Sequence, residues 1–282
     1  MFKKVICSAL VLFSIVTVDA QVKTPPTSSK SKTEEVVGLT NITIDYSRPS
    51  MRGRSVFGDL VPYGRMWRTG ANMNTTVTFA DDVSIAGKEL KKGKYALYTI
   101  PKATSWEVIF YSDTNNWGLP EKFDESKVAL RTDVKSVSSD RKYETFTIAL
   151  SNVDIDGVDM ELIWEKTIVP IHIGVPSEKL ALASIEQTFS GPKAVDYYAA
   201  SQYYFLINKE LSKALKWIDA AIEKEGASAP FYFTRLKSQI QAKMGDKKGA
   251  VETAKKSLEM AEKANNFDYI KMNKDAILEW SI

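Results

Sequence analysis

The spacing of apolar residues changes once along this chain, at Pro176, and that change limits the fold more than any other feature. Before it the period is two. Ile42, Ile44 and Tyr46 alternate with polar neighbours, as do Val77 and Phe79, then Val83 and Ile85. The same holds for Phe146, Ile148 and Leu150, and for Val158, Met160, Leu162 and Trp164. Residues 95–100, 106–111 and 168–173 are denser apolar runs. Alternation puts every second side chain on one face, the signature of a strand with one buried side. Gly87, Lys92-Gly93, Pro101 and Asp156-Gly157 punctuate the runs, and Asp-Gly between alternating segments is a hairpin signal. No helical pattern interrupts them. An antiparallel β-sandwich or barrel-like domain is expected over residues 35–175.

After Pro176 the period is that of a helix. Ser177 is a suitable N-cap for a helix over residues 178–189. Further helices are expected at 193–208, 211–224, 230–244, 247–264 and 267–280. Their stops are Ser190-Gly191-Pro192, Gly226, Gly245-Asp246 and Asn265-Asn266. Ala214, Leu215, Ile218, Ala221 and Ile222 recur 36 residues later as Ala250, Val251, Ala254, Ser257 and Leu258. These offsets trace one helical face. The repeat resembles the second helix of a tetratricopeptide repeat, whose period is near 34 residues. The whole is therefore an α+β multidomain chain, with a tetratricopeptide-like helical domain over residues 176–282. That domain would offer a surface to a protein partner.

The N-terminus has its own pattern. Lys3 and Lys4 precede an uncharged apolar run over residues 5–18, and Val18-Asp19-Ala20 suits cleavage before Gln21. A signal peptide over residues 1–20 and a flexible leader over 21–34 are expected, with export to the periplasm or beyond. A retained anchor is the alternative, although the run is shorter than a spanning helix needs. Cys7 is the only cysteine, so the mature chain would lack disulfides, thiolate nucleophiles and zinc-thiolate sites. The net charge of +3 gives no generic case for nucleic acid, and no membrane span is expected after cleavage.

The most unusual composition lies in residues 45–72. The chain has eight arginines, and five fall here: Arg48, Arg52, Arg54, Arg65 and Arg68. No lysine falls here in an otherwise lysine-rich chain. Arginine offers a planar fork that binds carboxylate or phosphate with two hydrogen bonds, which lysine cannot do. Gly53, Gly58, Gly64, Gly70, Pro49 and Pro62 imply turns rather than a strand. One reading is an anion-binding loop for acidic sugars, phosphate or an acidic peptide. The other is a structural loop whose arginines pair with acids such as Asp45, Asp59 and Glu144.

Other chemistry is sparse. His172 is the only histidine and sits in a strand-like run with no nucleophile motif beside it. The acidic run 154–159 is better explained by a hairpin turn than by a calcium loop. Asp113, Asp124, Glu125 and Glu144 are available for glycoside hydrolysis, but spacing does not say which would face each other. Trp67, Trp106, Tyr46, Tyr63, Tyr98 and Tyr111 read as core, whereas Trp117 in Asn115-Asn116-Trp117-Gly118 reads as a loop aromatic presented to solvent. The expectation is an exported, non-enzymatic binding protein with Arg48, Arg54, Arg68, Asn72 and Trp117 as ligand-binding residues and an anionic or glycan ligand. The alternative is a carboxylate-based glycan hydrolase or glycan-binding module. No metal site or cofactor is expected.

Residues 46–72 (YSRPSMRGRSVFGDLVPYGRMWRTGAN), then VSIAGKELKKGKYALYTIP, then WEVIFYSDTNNWG resemble, in order, the domain of unknown function 2911 family of secreted Bacteroidetes proteins. The likeness covers about residues 35–175. It implies that compartment and those limits, with no established activity to carry over. A tetratricopeptide-like tail is also familiar behind such domains.

Overall fold

The computed structural model describes residues 24–281 apart from Ser190. The expected signal peptide, Cys7 and Gln21 lie outside the described residues. Ten strands precede six α-helices among the described residues. The strands are β1 (Ser29–Val37), β2 (Thr40–Arg48), β3 (Thr75–Phe79), β4 (Val83–Ile85) and β5 (Lys88–Leu90), then β6 (Gly93–Pro101), β7 (Ser105–Tyr111), β8 (Val128–Lys135), β9 (Val137–Ser151) and β10 (Gly157–Gly174). They form two antiparallel sheets, ordered β1-β2-β3-β6-β7-β8 and β5-β4-β10-β9. Alternation sends Ile44, Val77, Leu97 and Val108 of one sheet, and Ile148 and Leu162 of the other, into a single core where each is at most 2% exposed. One core shared by two facing sheets is a β-sandwich.

Strand β1 begins inside the stretch expected to be a flexible leader and runs three residues past its expected end at residue 34. Its sequence, SKSKTEEVV, is polar because it is an edge strand paired on one side only, to β2. An edge strand facing water carries charge and little periodicity, which hides it from a pattern search.

β10 is not straight. His172 Nδ1 lies 2.9 Å from Asp159 Oδ1, 13 residues away. An extended strand would separate them by roughly 43 Å. Its inward set also changes phase, from Val158, Met160, Leu162 and Trp164 to Val169, Ile171 and Ile173. The element therefore folds back near Glu165, whose φ is +54° and where the register with β9 shifts.

The helices are α1 (Ser177–Thr188), α2 (Ala194–Leu206), α3 (Leu211–Glu225), α4 (Phe231–Lys243), α5 (Lys247–Lys263) and α6 (Phe267–Trp280). Asp246 caps α5 by accepting from Gly249 N at 2.9 Å, and Asn266 caps α6 by accepting from Tyr269 N at 3.1 Å. Ser177 is not the N-cap of α1. It is the first helical residue, Pro176 stands at the cap, and the Ser177 hydroxyl is buried without a partner. The β1–β2 turn packs directly on this hydroxyl: a Cβ on Gly38 would clash with it and with Ile155 O. Of the repeated stripe, Ala214, Ile218, Ala221, Ala250, Ala254 and Ser257 are each 0% exposed, whereas Leu215, Ile222, Val251 and Leu258 are only half-buried. Among the described residues no helix is long and apolar enough to cross a membrane.

Candidate functional site

Residues 49–74 join β2 to β3, which are neighbours in one sheet, so a tight turn would have served. Instead this long loop plugs one end of the sandwich and is tied to both sheets. On the second sheet, Phe146 N donates to Pro49 O at 2.9 Å and Met51 N donates to Glu144 O at 2.8 Å. On the first, Trp67 and Thr99 exchange backbone hydrogen bonds of 2.7 and 3.0 Å, extending the edge of β6. Met51, Val56 and Val61 are buried, and Phe57 and Trp67 pack beside them. The Trp67 ring stacks on Trp164 at 5.8 Å and meets Phe146 edge-on at 5.1 Å and Trp106 at 6.1 Å. Such aromatic pairs each add about 0.5–1.5 kcal/mol beyond area burial.

The loop holds strained backbone where it turns. Arg52, Thr69 and Asn72 have φ of +51°, +53° and +59°. For a β-branched residue such as Thr69 this is unfavourable, by about 1–3 kcal/mol. Its neighbours hold it there: Thr75 Oγ1 donates to Thr69 O at 2.6 Å, and the Thr69 and Thr99 hydroxyls bond at 3.0 Å.

Between the plug and the rim lies a cleft of about 450 Å³. Trp67 and Trp164 line its depth; Arg52, Arg54, Arg68, Asn72, Ser50, Thr27 and Ser28 line the rest. The volume falls within the roughly 300–1,000 Å³ of small-molecule sites. The cleft thus gathers Arg54, Arg68 and Asn72 from the expected set and adds Arg52. Arg48 is not part of it. Its guanidinium turns the other way and donates to Phe146 O at 3.1 Å and Thr147 Oγ1 at 2.7 Å, because it ends β2 opposite β9 and ties the two sheets together. Trp117 is 73% exposed on the loop after β7, as expected of it, but does not line the cleft.

The arginines do not pair with acids. Among the described residues Arg131 is the only arginine in an ion pair, with Glu107 and Glu125. Asp45, Asp59 and Glu144 were the acids expected to neutralise this loop. Glu144 Oε1 instead accepts from the backbone N–H of Arg52 at 2.8 Å, and Glu165 Oε2 accepts from Val56 N at 3.2 Å. The guanidiniums are held by carbonyls: Arg52 by Thr27 O, Arg54 by Met51 O and Ser50 O, and Arg68 by Asn72 O at 2.9 Å. A carbonyl orients a guanidinium without cancelling its charge. No carboxylate lines the cleft, so it is a cationic surface with an aromatic floor.

Arg68 is positioned most closely. Its guanidinium lies against Gly118, where an added Cβ would come 2.5 Å from Cζ. Gly118 has φ +91°, so only glycine suits both the turn and the approach. Tyr98 lies beneath, 0% exposed, its hydroxyl donating to Gly118 O at 3.3 Å. Burial pushes the Tyr98 phenol up to about 12, against the lowering effects of Asn116 and the Arg68 charge.

His172 is away from this cleft, 62% exposed on β10 and bonded to Asp159. Asn152 and His172 hold the Asp159 carboxyl below its ordinary value, against partial burial. The acidic run 154–159 contributes the turn between β9 and β10.

The family model described as "Protein of unknown function (DUF2911)" matches residues 28–173. The chain belongs to this family. The match covers more than half of the 282 residues and every strand from β1 to β9, with the arginine loop inside it. Neither the curated proteins nor the solved structures yield a match.

Proposed function

We propose that this chain is an exported, non-enzymatic binding protein whose arginine-lined cleft takes an anionic ligand and whose helices dock a protein partner. The observation that carries the reading is the cleft itself: Arg52, Arg54 and Arg68 line it, each guanidinium bonded to a carbonyl and none in an ion pair among the described residues. Preoriented guanidiniums bind carboxylate or phosphate with little ordering cost. With no carboxylate on its walls, the cleft lacks the acid pair that glycoside hydrolysis requires, which favours binding over the hydrolase alternative. Export is supported by the charged start and the apolar run over residues 5–18. A tetratricopeptide-like role for the helices is supported by the repeated buried stripe of α3 and α5 and by a groove between α2, α4 and α6 that includes Phe205, Arg235 and Met272.

Calorimetric titration of the purified chain with inorganic phosphate and with small carboxylates, at two salt concentrations, tests the anion site. Saturable binding that weakens with salt and falls at least about tenfold in Arg68→Gln is expected, since a lost charged hydrogen bond is worth about 1.5–3 kcal/mol. Binding that ignores both salt and Arg68→Gln would contradict it.

A further inference from the structure

We propose that the ligand of this cleft is an acidic sugar chain, with a carboxylate on Arg68 and a ring that leaves the cleft past Gly118 to lie against Trp117. This rests on the anion-binding reading above. An indole is a large apolar surface, yet that of Trp117 is 73% exposed. Its backbone is nonetheless held firmly on both sides. Before it, Asn74 N donates to Asn116 O at 3.1 Å, and Asn116 N donates to Asn74 Oδ1 at 2.9 Å, with Asn74 itself 5% exposed. After it, Gly118 O accepts from the buried Tyr98 hydroxyl, and Gly118 packs on the Arg68 guanidinium.

Trp117 is therefore one Cα step, about 3.8 Å, from the residue against which Arg68 rests. The Trp117 backbone and the Arg68 guanidinium thus meet at a single glycine, Gly118. An exposed indole on an anchored backbone offers apolar contact area beside that guanidinium.

The chemistry that uses both is specific. A pyranose has a face of C–H groups that lies on an indole, where water is displaced from both surfaces. A carboxylate of the same chain accepts two hydrogen bonds from a guanidinium. Ring hydroxyls find Ser50, Ser28 and the Asn72 amide on the neighbouring wall. A neutral sugar would leave the Arg68 charge unanswered, and a bare inorganic anion would not touch Trp117.

The experiment titrates the wild-type chain, Trp117→Ala and Arg68→Gln with a galacturonic acid trimer, the matching neutral galactose trimer and inorganic phosphate. The acidic trimer should bind wild type and the neutral trimer should not. Trp117→Ala should weaken the acidic trimer about tenfold or more, leave phosphate binding within about twofold and leave the melting temperature unchanged, a tenfold loss being about 1.4 kcal/mol. Arg68→Gln should weaken both anions. If Trp117→Ala binds the acidic trimer as wild type does, or if both trimers bind alike, the sugar assignment is wrong while phosphate binding keeps the anion site intact. If neither phosphate nor the acidic trimer binds wild type, both the sugar assignment and the anion site fall together.

Discussion

The loop of residues 49–74 and the small-residue stripe of α3 and α5 both bury side chains, but by different means. The stripe works by repetition. Ala214, Ala221, Ala250 and Ala254 remove side-chain bulk at regular offsets, so neighbouring helices approach and each contact is near its neighbours in sequence. The loop has no period. It is held by bonds to Thr99, Glu144, Phe146 and Glu165, residues from two sheets, and it spends backbone strain at Arg52, Thr69 and Asn72. A regular element needs only its own pattern to form. An irregular one needs partners that over-determine it, and the side chains left at its surface are then free to be shaped for a ligand.

That difference has measurable consequences. Trp67→Ala removes the indole that joins Phe57, Trp106, Phe146 and Trp164, and should cost about 3–5 kcal/mol in denaturant unfolding of the sandwich. A loss below about 1 kcal/mol would mean that the loop merely covers the sandwich. Ala254→Leu overpacks the stripe and should cost about 2–3 kcal/mol, appearing in the helical far-ultraviolet signal. If it left that signal unchanged, the close approach of α4 and α5 would not depend on the small residue.

A smaller effect comes from Tyr98, under the loop. Its phenol is raised from 10.0 to about 12, so the folded state holds a proton that the unfolded chain releases. The stabilisation is complete below pH 10 and is lost as pH rises from 10 towards 12, by roughly 1–2 kcal/mol. Tyr98→Phe should flatten this part of the stability curve. A wild-type curve equally flat between pH 10 and 12 would remove the case for a buried phenol.

The same contrast explains what could be read from the sequence. The strands with alternating Ile44, Val77, Leu97, Val108, Ile148 and Leu162 were visible because a half-buried strand must alternate, and the helices because Ala214 and Ile218 recur on one face. β1 was missed because an edge strand of lysine, serine and glutamate carries no such constraint. The fold-back of β10 was visible only as two separate runs, since the turn residues Glu165 and Lys166 are neither glycine nor proline. At the cleft, arginine enrichment marked the right loop but could not say where each fork points. Arg48 ends a strand and is used between the sheets, while Arg52, one turn later, faces the cleft. Trp164 gave no signal of its own, because an inward strand residue at the end of a sandwich looks the same in sequence as one in its middle. The pairing of arginines with Asp45, Asp59 and Glu144 was expected from charge alone. The fold instead uses Glu144 and Glu165 to hold backbone N–H groups, a choice set by the register between the loop and β9 and β10.

On the proposed reading, this strained loop holds arginines free of ion pairs at the cleft to receive an anion. Proton–nitrogen spectra of the arginine Nε–H groups test it most directly, since all eight arginines can be followed in one titration with an anionic ligand such as inorganic phosphate. Anion binding in the cleft requires saturable shifts with one common dissociation constant at Arg52, Arg54 and Arg68, and none at Arg48, whose Nε is engaged by Phe146 O, or at Arg131, which is paired with Glu107 and Glu125. Shifts that grow linearly without saturation, or that appear equally at Arg48 and Arg131, would show that the loop is scaffold and that the cleft binds nothing.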